Sequence, residues 1–217
     1  MTIPLEAIRG AYDAVARDYA ERFRDELDSK PLDRALLEAF AARVRGRGVV
    51  ADLGTGPGQA ARFLHRQGVE VVGVDLSPRM LEEARRLSGD LPIGWRGGNL
   101  LHLDVPDASL AGATAFYAHV HVPREQLVGA YSELHRVLAP GAPALLAFHV
   151  GEDVLELDTW FDRPVRLDFH FHPWATVLSA LDRAGLVVEA KLERMPVVPL
   201  EHPSLRGYVL VRRGTTA

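Results

Sequence analysis

The sequence predicts an α/β fold built on a mostly parallel sheet, and three observations carry that expectation. Short apolar runs alternate with amphipathic stretches of helical period between Gly48 and Val150. A glycine cluster, Gly54-Thr-Gly56-Pro-Gly58, stands where the first apolar run meets the next helical stretch. Near the C-terminus the alternation stops. Val188, Ala190 and Leu192 alternate with Glu189, Lys191 and Glu193, whereas Tyr208-Val-Leu-Val is apolar throughout. Alternating strands and helices mean βαβ units. The last two runs read as an exposed edge strand beside an interior one, a terminal antiparallel hairpin on a parallel sheet.

The elements follow in order. Ile8, Ala11, Tyr12, Val15 and Tyr19 recur at helical spacing. A second stripe, Leu32, Ala35, Leu36, Ala39, Phe40 and Val44, follows Pro31, a residue suited to a first helical position. Gly48 to Leu53 reads as a buried strand, Gln59 to Gln67 as a helix closed by Gly68, and Val69 to Asp75 as a second strand. Ser77-Pro78 is a cap and first turn for a helix through Met80 and Leu87. Pro92 to Arg96 and Ala111 to His119 are further strands, and Pro123 to Leu138 is an amphipathic helix stopped by Pro140-Gly141. Pro143 to Val150 is a continuous apolar strand. Val154 to Phe171 alternates, with a turn expected at Asp162-Arg-Pro, and Pro173 to Ala184 is a helix capped by Gly185.

At 217 residues one domain is expected: a helical cap over 1–45, a core over 46–150, an inserted hairpin over 151–172 covering the active site, and a C-terminal helix with a strand pair over 173–217. A net charge of −4 gives no reason to expect nucleic acid or an acidic membrane. With no Cys, disulfides, thiolate metal sites and Cys nucleophiles are excluded. Lysine occurs only at Lys30 and Lys191, which argues against a Schiff-base or phosphate-loop lysine. No segment reads as a signal peptide or a bilayer span, so a cytoplasmic protein, monomeric or homodimeric, is expected.

The glycine turn carries the chemistry. Glycines between strand and helix let backbone approach a ligand, and an acidic residue about 20 positions on, here Asp75, can accept from ribose hydroxyls. Asp52 narrows the choice of adenosine cofactor. A carboxylate just before the first glycine repels a pyrophosphate but suits the cationic tail of S-adenosylmethionine. A tight turn without a ligand is the bland alternative. Replacing Asp75 is expected to weaken cofactor binding with little effect on folding.

Val49-Val-Ala-Asp52-Leu-Gly-Thr-Gly-Pro-Gly58, followed by Val72-Gly-Val-Asp75-Leu-Ser-Pro-Arg-Met80-Leu-Glu-Glu-Ala-Arg85, resembles the class I S-adenosylmethionine-dependent methyltransferases. Glu133-Leu-His-Arg-Val-Leu-Ala-Pro-Gly141 is similar to a helix-to-strand junction of the small-molecule branch, and the resemblance runs from about Tyr12 to the C-terminus. It implies a three-layer Rossmann-like sandwich whose seven-stranded sheet has a reversed last strand. It also implies a cofactor set of Tyr12, Tyr19, Asp52, Gly54, Thr55, Gly56, Asp75, Leu76, Met80, Asn99, Leu100 and Tyr117. In that set Asp52 and Gly54 to Gly56 hold the methionine end, Asp75 the ribose, and Met80 packs near the adenine; S-adenosylhomocysteine is the product. Where the family commonly has Asp, Gly98 is followed by Asn99, whose amide oxygen still accepts a hydrogen bond. Tyr12 and Tyr19 either close over the cofactor or are two aromatic core residues.

A hydroxyl or ammonium acceptor must also lose a proton, and His is the residue for that. His119 and His121 stand at one expected strand end, His149 at the next, and His170 and His172 after the hairpin. Residues two apart share a face of an extended segment, pairing His119 with His121. A general base, with His119 or His121 preferred, a metal pair and plain pocket lining are all open; no carboxylate stands at obvious spacing for a metal, so none is assigned. No Asn/Asp-Pro-Pro-aromatic motif for amino-methylation of DNA bases is present, and a small organic acceptor remains, methylated on O or N. Trp160, Phe161 and Trp174 are candidates for its apolar wall or for core anchors. A nicotinamide-dependent oxidoreductase and a non-catalytic S-adenosylmethionine-binding protein are the competing functions.

Overall fold

The computed structural model of the chain describes residues 3–214, so residues 1–2 and 215–217 of the expected domain lie outside the described residues. In chain order the elements are α1 (Leu5–Phe23), α2 (Pro31–Val44), β1 (Val50–Leu53), α3 (Gln59–Arg66), β2 (Val71–Asp75), α4 (Pro78–Ser88), β3 (Gly94–Gly97), β4 (Gly112–Phe116), α5 (Leu127–Val137), β5 (Pro143–Val150), β6 (Val154–Trp160), β7 (Arg163–His170), α6 (Trp174–Arg183), β8 (Leu186–Arg194) and β9 (Leu205–Arg213). Seven strands form one sheet in the order β3-β2-β1-β4-β5-β9-β8, and β6 and β7 form a separate hairpin. β1, β2, β3, β4 and β5 are mutually parallel, while β9 runs antiparallel to both of its neighbours. The sheet is thus the mostly parallel one with a reversed strand, and β3 and β8 are its edges.

Strand alternation divides the interior into two cores. Ala144, Leu146 and Phe148 pack with Leu127, Leu134, Val177 and Leu181 of α5 and α6 on one face. Leu145, Val50 and Val71 pack with Leu37 and Phe40 of α2 and Leu64 of α3 on the other. A third, smaller cluster joins Ile8 and Ala11 of α1 to Leu167 of β7. The first helix packs on both α4 and the hairpin, and the hairpin also meets the segment that follows β4.

Three expectations change. The buried face of α2 is Asp33, Leu37, Phe40, Ala41 and Val44, one position off the expected stripe, and Leu32, Ala35 and Ala39 face outward. The hairpin turn is Phe161-Asp162, both with positive φ as a two-residue turn requires, and Arg163 already pairs with Trp160. The fourth strand does not reach His119. It ends at Phe116, because Tyr117 adopts a left-handed conformation (φ 57°) that turns the chain into a 3₁₀ segment, Ala118–His121. By contrast the cap at Ser77 is as expected, its Oγ accepting from the Met80 N–H at 3.0 Å.

Candidate active site

The strand order reverses between β1 and β4, the point where open α/β sheets bind ligands beyond the carboxyl ends of their strands. A cavity of about 790 Å³ lies there. It brings together all the expected cofactor residues: Tyr12 and Tyr19 from α1; Asp52, Gly54, Thr55 and Gly56 from the first turn; Asp75, Leu76 and Met80 from the second; Asn99 and Leu100; and Tyr117. Trp160 and Phe169 of the hairpin face it too, whereas Phe161 stacks on the outside of Trp160. Trp174 is a core anchor, edge-on to Phe148 and donating to Glu193 at 2.8 Å.

The glycine turn is shaped by its surroundings. Gly54 sits at φ 64°, and a Cβ there would drive into the Cβ of Ala118, so backbone from two loops meets where only glycine fits. Asp52 is 2% exposed and held by two hydroxyls, Thr55 donating to Oδ2 at 2.6 Å and Thr114 to Oδ1 at 2.7 Å. Burial raises its carboxyl, and those two donors oppose the rise. Asp75 accepts from the Gly56 N–H at 2.7 Å and the Ser77 N–H at 2.9 Å, tying the glycine turn to the start of α4. Burial pushes its carboxyl up to about 6 against those two backbone donors. The expectation that Asp75 matters little to folding is therefore corrected: its loss orphans two backbone N–H groups. Asn99 Oδ1 accepts from the Leu101 N–H at 3.0 Å, and Met80 is 1% exposed beneath the cavity.

The two preferred histidines part company. At about three residues per turn, residues two apart on a 3₁₀ segment point roughly 120° away from each other, so His119 and His121 share no face. His119 is buried behind the sheet against Tyr131 and Phe148 and stacked on His172, and it does not line the cavity. Its place as a candidate base is withdrawn: burial, with His172 and His149 nearby, lowers it to about 3, and no acceptor reaches it. His172 is fully buried beside it.

His121 faces the cavity. Its Nδ1 lies 2.8 Å from the carbonyl of Asp168 in β7, and its Nε2 lies 2.6 Å from the hydroxyl of Tyr12 in α1. A carbonyl only accepts, so Nδ1 carries the proton, and Nε2 presents a lone pair to which Tyr12 donates. Burial lowers this imidazole to about 4. Tyr12 also meets Tyr19 and Trp160 edge-to-face at 6.2 and 5.8 Å, so these aromatics wall the cavity. Among the described residues no group of three or more His, Cys, Asp or Glu side chains is placed to hold a metal ion.

One part of the cavity, His149 apart, went unread in the sequence. Lys30, Asp33, Glu201 and Arg206, with Glu26 and His149, line its far end, and Lys30, Asp33 and Arg206 are each at most 8% exposed. Lys30 contacts Glu26 at 2.5 Å and Glu201 at 3.2 Å, and Arg194 contacts Glu201 at 2.6 Å and Asp33 at 2.9 Å. The available signal was Asp33, which shares a helical face with Leu37 and Phe40 and so points inward.

Residues 50–141 match the family model described as a methyltransferase domain. A 2-phytyl-1,4-naphtoquinone methyltransferase of Synechococcus elongatus is 32% identical over 151 residues, 65% of this chain and 63% of that protein. A demethylmenaquinone methyltransferase of Beutenbergia cavernae is 32% identical over 144 residues, 64% of this chain and 57% of that protein. The chain spans less than two thirds of the length of the curated relatives it matches. Among solved structures, DhpI in complex with SAH superposes with a TM-score of 0.75 at 23% identity, covering 98% of both chains. The [4+2]-cyclase SpnF superposes at 0.74 with 14% identity, over 99% of this chain and 98% of that one. Residues 50–141 are thus similar to a methyltransferase domain, and the fold around them is one shared with solved methyltransferase structures.

Proposed function

We propose that this chain is an S-adenosylmethionine-dependent methyltransferase acting on the oxygen or nitrogen of a small, largely apolar organic molecule. The observation that carries the reading is Asp75, a desolvated carboxylate at the end of β2, opening on the same cavity as the glycine turn at Gly54. These residues fit the cofactor. Asp75 retains oxygen lone pairs for ribose hydroxyls, the turn leaves room for backbone contact, and Asp52 supplies negative charge near the methionine end. S-adenosylmethionine, when bound, supplies a methyl group on a sulfonium. The chain's own task is to hold an acceptor in line and receive its proton. His121 Nε2 is the atom for that, its lone pair fixed by the Asp168 carbonyl behind it and freed when the acceptor's hydroxyl or amine takes the place of the Tyr12 hydroxyl that donates to it in the empty cavity. The aromatic walls from α1 and the hairpin offer the acceptor an apolar surface. A cytoplasmic enzyme, monomeric or homodimeric and without a nucleic-acid partner, is the setting this reading implies.

Calorimetric titration with S-adenosylmethionine, S-adenosylhomocysteine and NAD tests the reading. Binding of the first two and not the third is expected, and NAD binding alone would overturn it. The base assignment has its own test. Once an acceptor is in hand, His121→Ala is expected to lower kcat by about 10²-fold or more, the usual contribution of a positioned base, and to leave S-adenosylhomocysteine affinity within threefold. Because His121 is neutral down to about pH 4, wild-type kcat is expected to fall only as pH drops toward that value. Unchanged kcat in the variant would leave positioning alone as the mechanism.

A further inference from the structure

The far end of the cavity lies over the other half of the sheet from Asp75. His149 is on β5 and Arg206 on β9, and the two are direct cross-strand partners. Asp75 ends β2, three strands from β5 in the sheet order, roughly 14 Å at the ordinary strand spacing. A molecule reaching from the glycine turn to this end passes Tyr117, whose ring has Lys30 Nζ at 5.8 Å, Arg206 Cζ at 5.6 Å and the His149 ring at 5.2 Å.

Once the internal bonds are assigned, His149 and Lys30 each keep a hydrogen-bond donor at this end. Arg206 Nη1 donates to Ser204 Oγ at 2.5 Å, so the Ser204 hydroxyl proton is left for His149 Nδ1, at 2.7 Å. Arg206 Nη1 also approaches that nitrogen at 3.0 Å, and Arg only donates. His149 Nδ1 is therefore the acceptor and Nε2 carries the proton. That N–H has no partner among the described residues, and the ring lines the cavity, stacked on Phe171 at 4.9 Å. Lys30 donates one N–H to Glu26 and stands 3.2 Å from Glu201 as an ion pair, so even with one N–H turned to each carboxylate a third remains. The charges around them balance, Lys30, Arg194 and Arg206 against Glu26, Asp33 and Glu201. A further buried charge would have no counter-ion, whereas a neutral acceptor of hydrogen bonds costs no such imbalance.

We propose that His149 Nε2–H and the third Lys30 N–H form a recognition subsite for an uncharged oxygen, a hydroxyl or carbonyl, on an otherwise apolar acceptor. This deepens the methyltransferase reading and rests on it for the name of acceptor. His149 is a positioning residue in this account, and the proton-accepting role stays with His121.

Ligand-observed NMR titration with naphthalene, 2-naphthol and 2-naphthoate at pH 7 tests it, alongside an S-adenosylhomocysteine titration of the same sample. The expected result is that 2-naphthol binds at least tenfold tighter than either of the others. In His149→Phe, which keeps a ring against Phe171, naphthalene affinity is expected to stay within threefold while the 2-naphthol advantage shrinks to threefold or less. Equal binding of 2-naphthol and naphthalene, tighter binding of 2-naphthoate, an advantage that survives in the variant, or no binding of any of the three would each overturn the subsite. Failure of S-adenosylhomocysteine to bind would instead count against the methyltransferase reading, whatever the naphthol series shows.

Discussion

Asp75→Asn is expected to raise the dissociation constant for S-adenosylhomocysteine by about 10²-fold. A carboxylate accepting two hydroxyl hydrogen bonds contributes on the order of 1.5 to 3 kcal/mol for each, and the amide keeps at most one acceptor. Asn also turns an N–H₂ toward either Gly56 or Ser77, both of which donate to Asp75 in the wild type. A stability loss of about 1 to 3 kcal/mol follows, or roughly 5 °C in Tm for a chain of this size. The pH dependence separates the two effects. Burial raises the Asp75 carboxyl from 3.8 to about 6. The folded apoprotein therefore holds an extra proton between about pH 4 and 6, and through that window this group's contribution to stability falls as pH rises. Ribose hydroxyls donate to the ionised form, so cofactor binding is favoured above pH 6 and weakens by up to tenfold per unit below it. Titration at pH 5.5 in buffers of differing ionisation enthalpy should show proton release in the wild type and none in Asp75→Asn. Unchanged affinity, or release that persists in the variant, would remove Asp75 from the ribose role.

The glycine turn, Asp75 and the strand succession were legible because each is a local pattern. Gly54 is needed where φ is positive, Ser77-Pro78 is a cap with its first turn, and Pro143 to Phe148 is one uninterrupted apolar run. The end of β4 was not legible. A left-handed residue is usually announced by Gly, and here Tyr117 holds that conformation, so the run through His119 reads as one longer strand. That single backbone turn decides that His121 enters the cavity while His119 leaves it. The polar far end was hidden for a different reason. Glu26 and Lys30 flank a helix boundary, Asp33 lies in α2, His149 in β5, and Glu201 between β8 and β9. No periodicity connects residues that far apart in sequence; only the sheet order brings them together.

Glu201→Gln is expected to be among the most destabilising single changes outside the apolar cores. The Glu201 side chain is 4% exposed and meets Lys30 at 3.2 Å, Arg194 at 2.6 Å and Arg206 at 3.7 Å. It also accepts from the Val197 N–H at 2.7 Å, fixing the loop before β9. Removing its charge leaves three buried cations to share Asp33 and Glu26. Breaking a buried pair from one side costs about 3 to 5 kcal/mol, or roughly 10 °C in Tm here. Glu82→Gln, which breaks the exposed pair with Arg79, is the control and should move Tm by no more than about 2 °C. The acid limb gives the sign. Burial alone would raise the Glu201 carboxyl, but Arg194, the Val197 N–H and Lys30 outweigh it and hold the group down to about 2. With its folded value below the ordinary 4.5, its contribution is complete above about pH 4.5 and is lost as pH falls toward 2. Melting curves of wild type and Glu201→Gln should therefore lie far apart at pH 7 and converge in acid, provided other carboxylates titrate alike in both. Curves that differ by less than about 2 °C at pH 7 would mean that water already screens the cluster. Packed apolar residues in the same volume would serve stability as well or better, so a confirmed loss at Glu201 marks charges kept at the cavity wall for what they hold in place there.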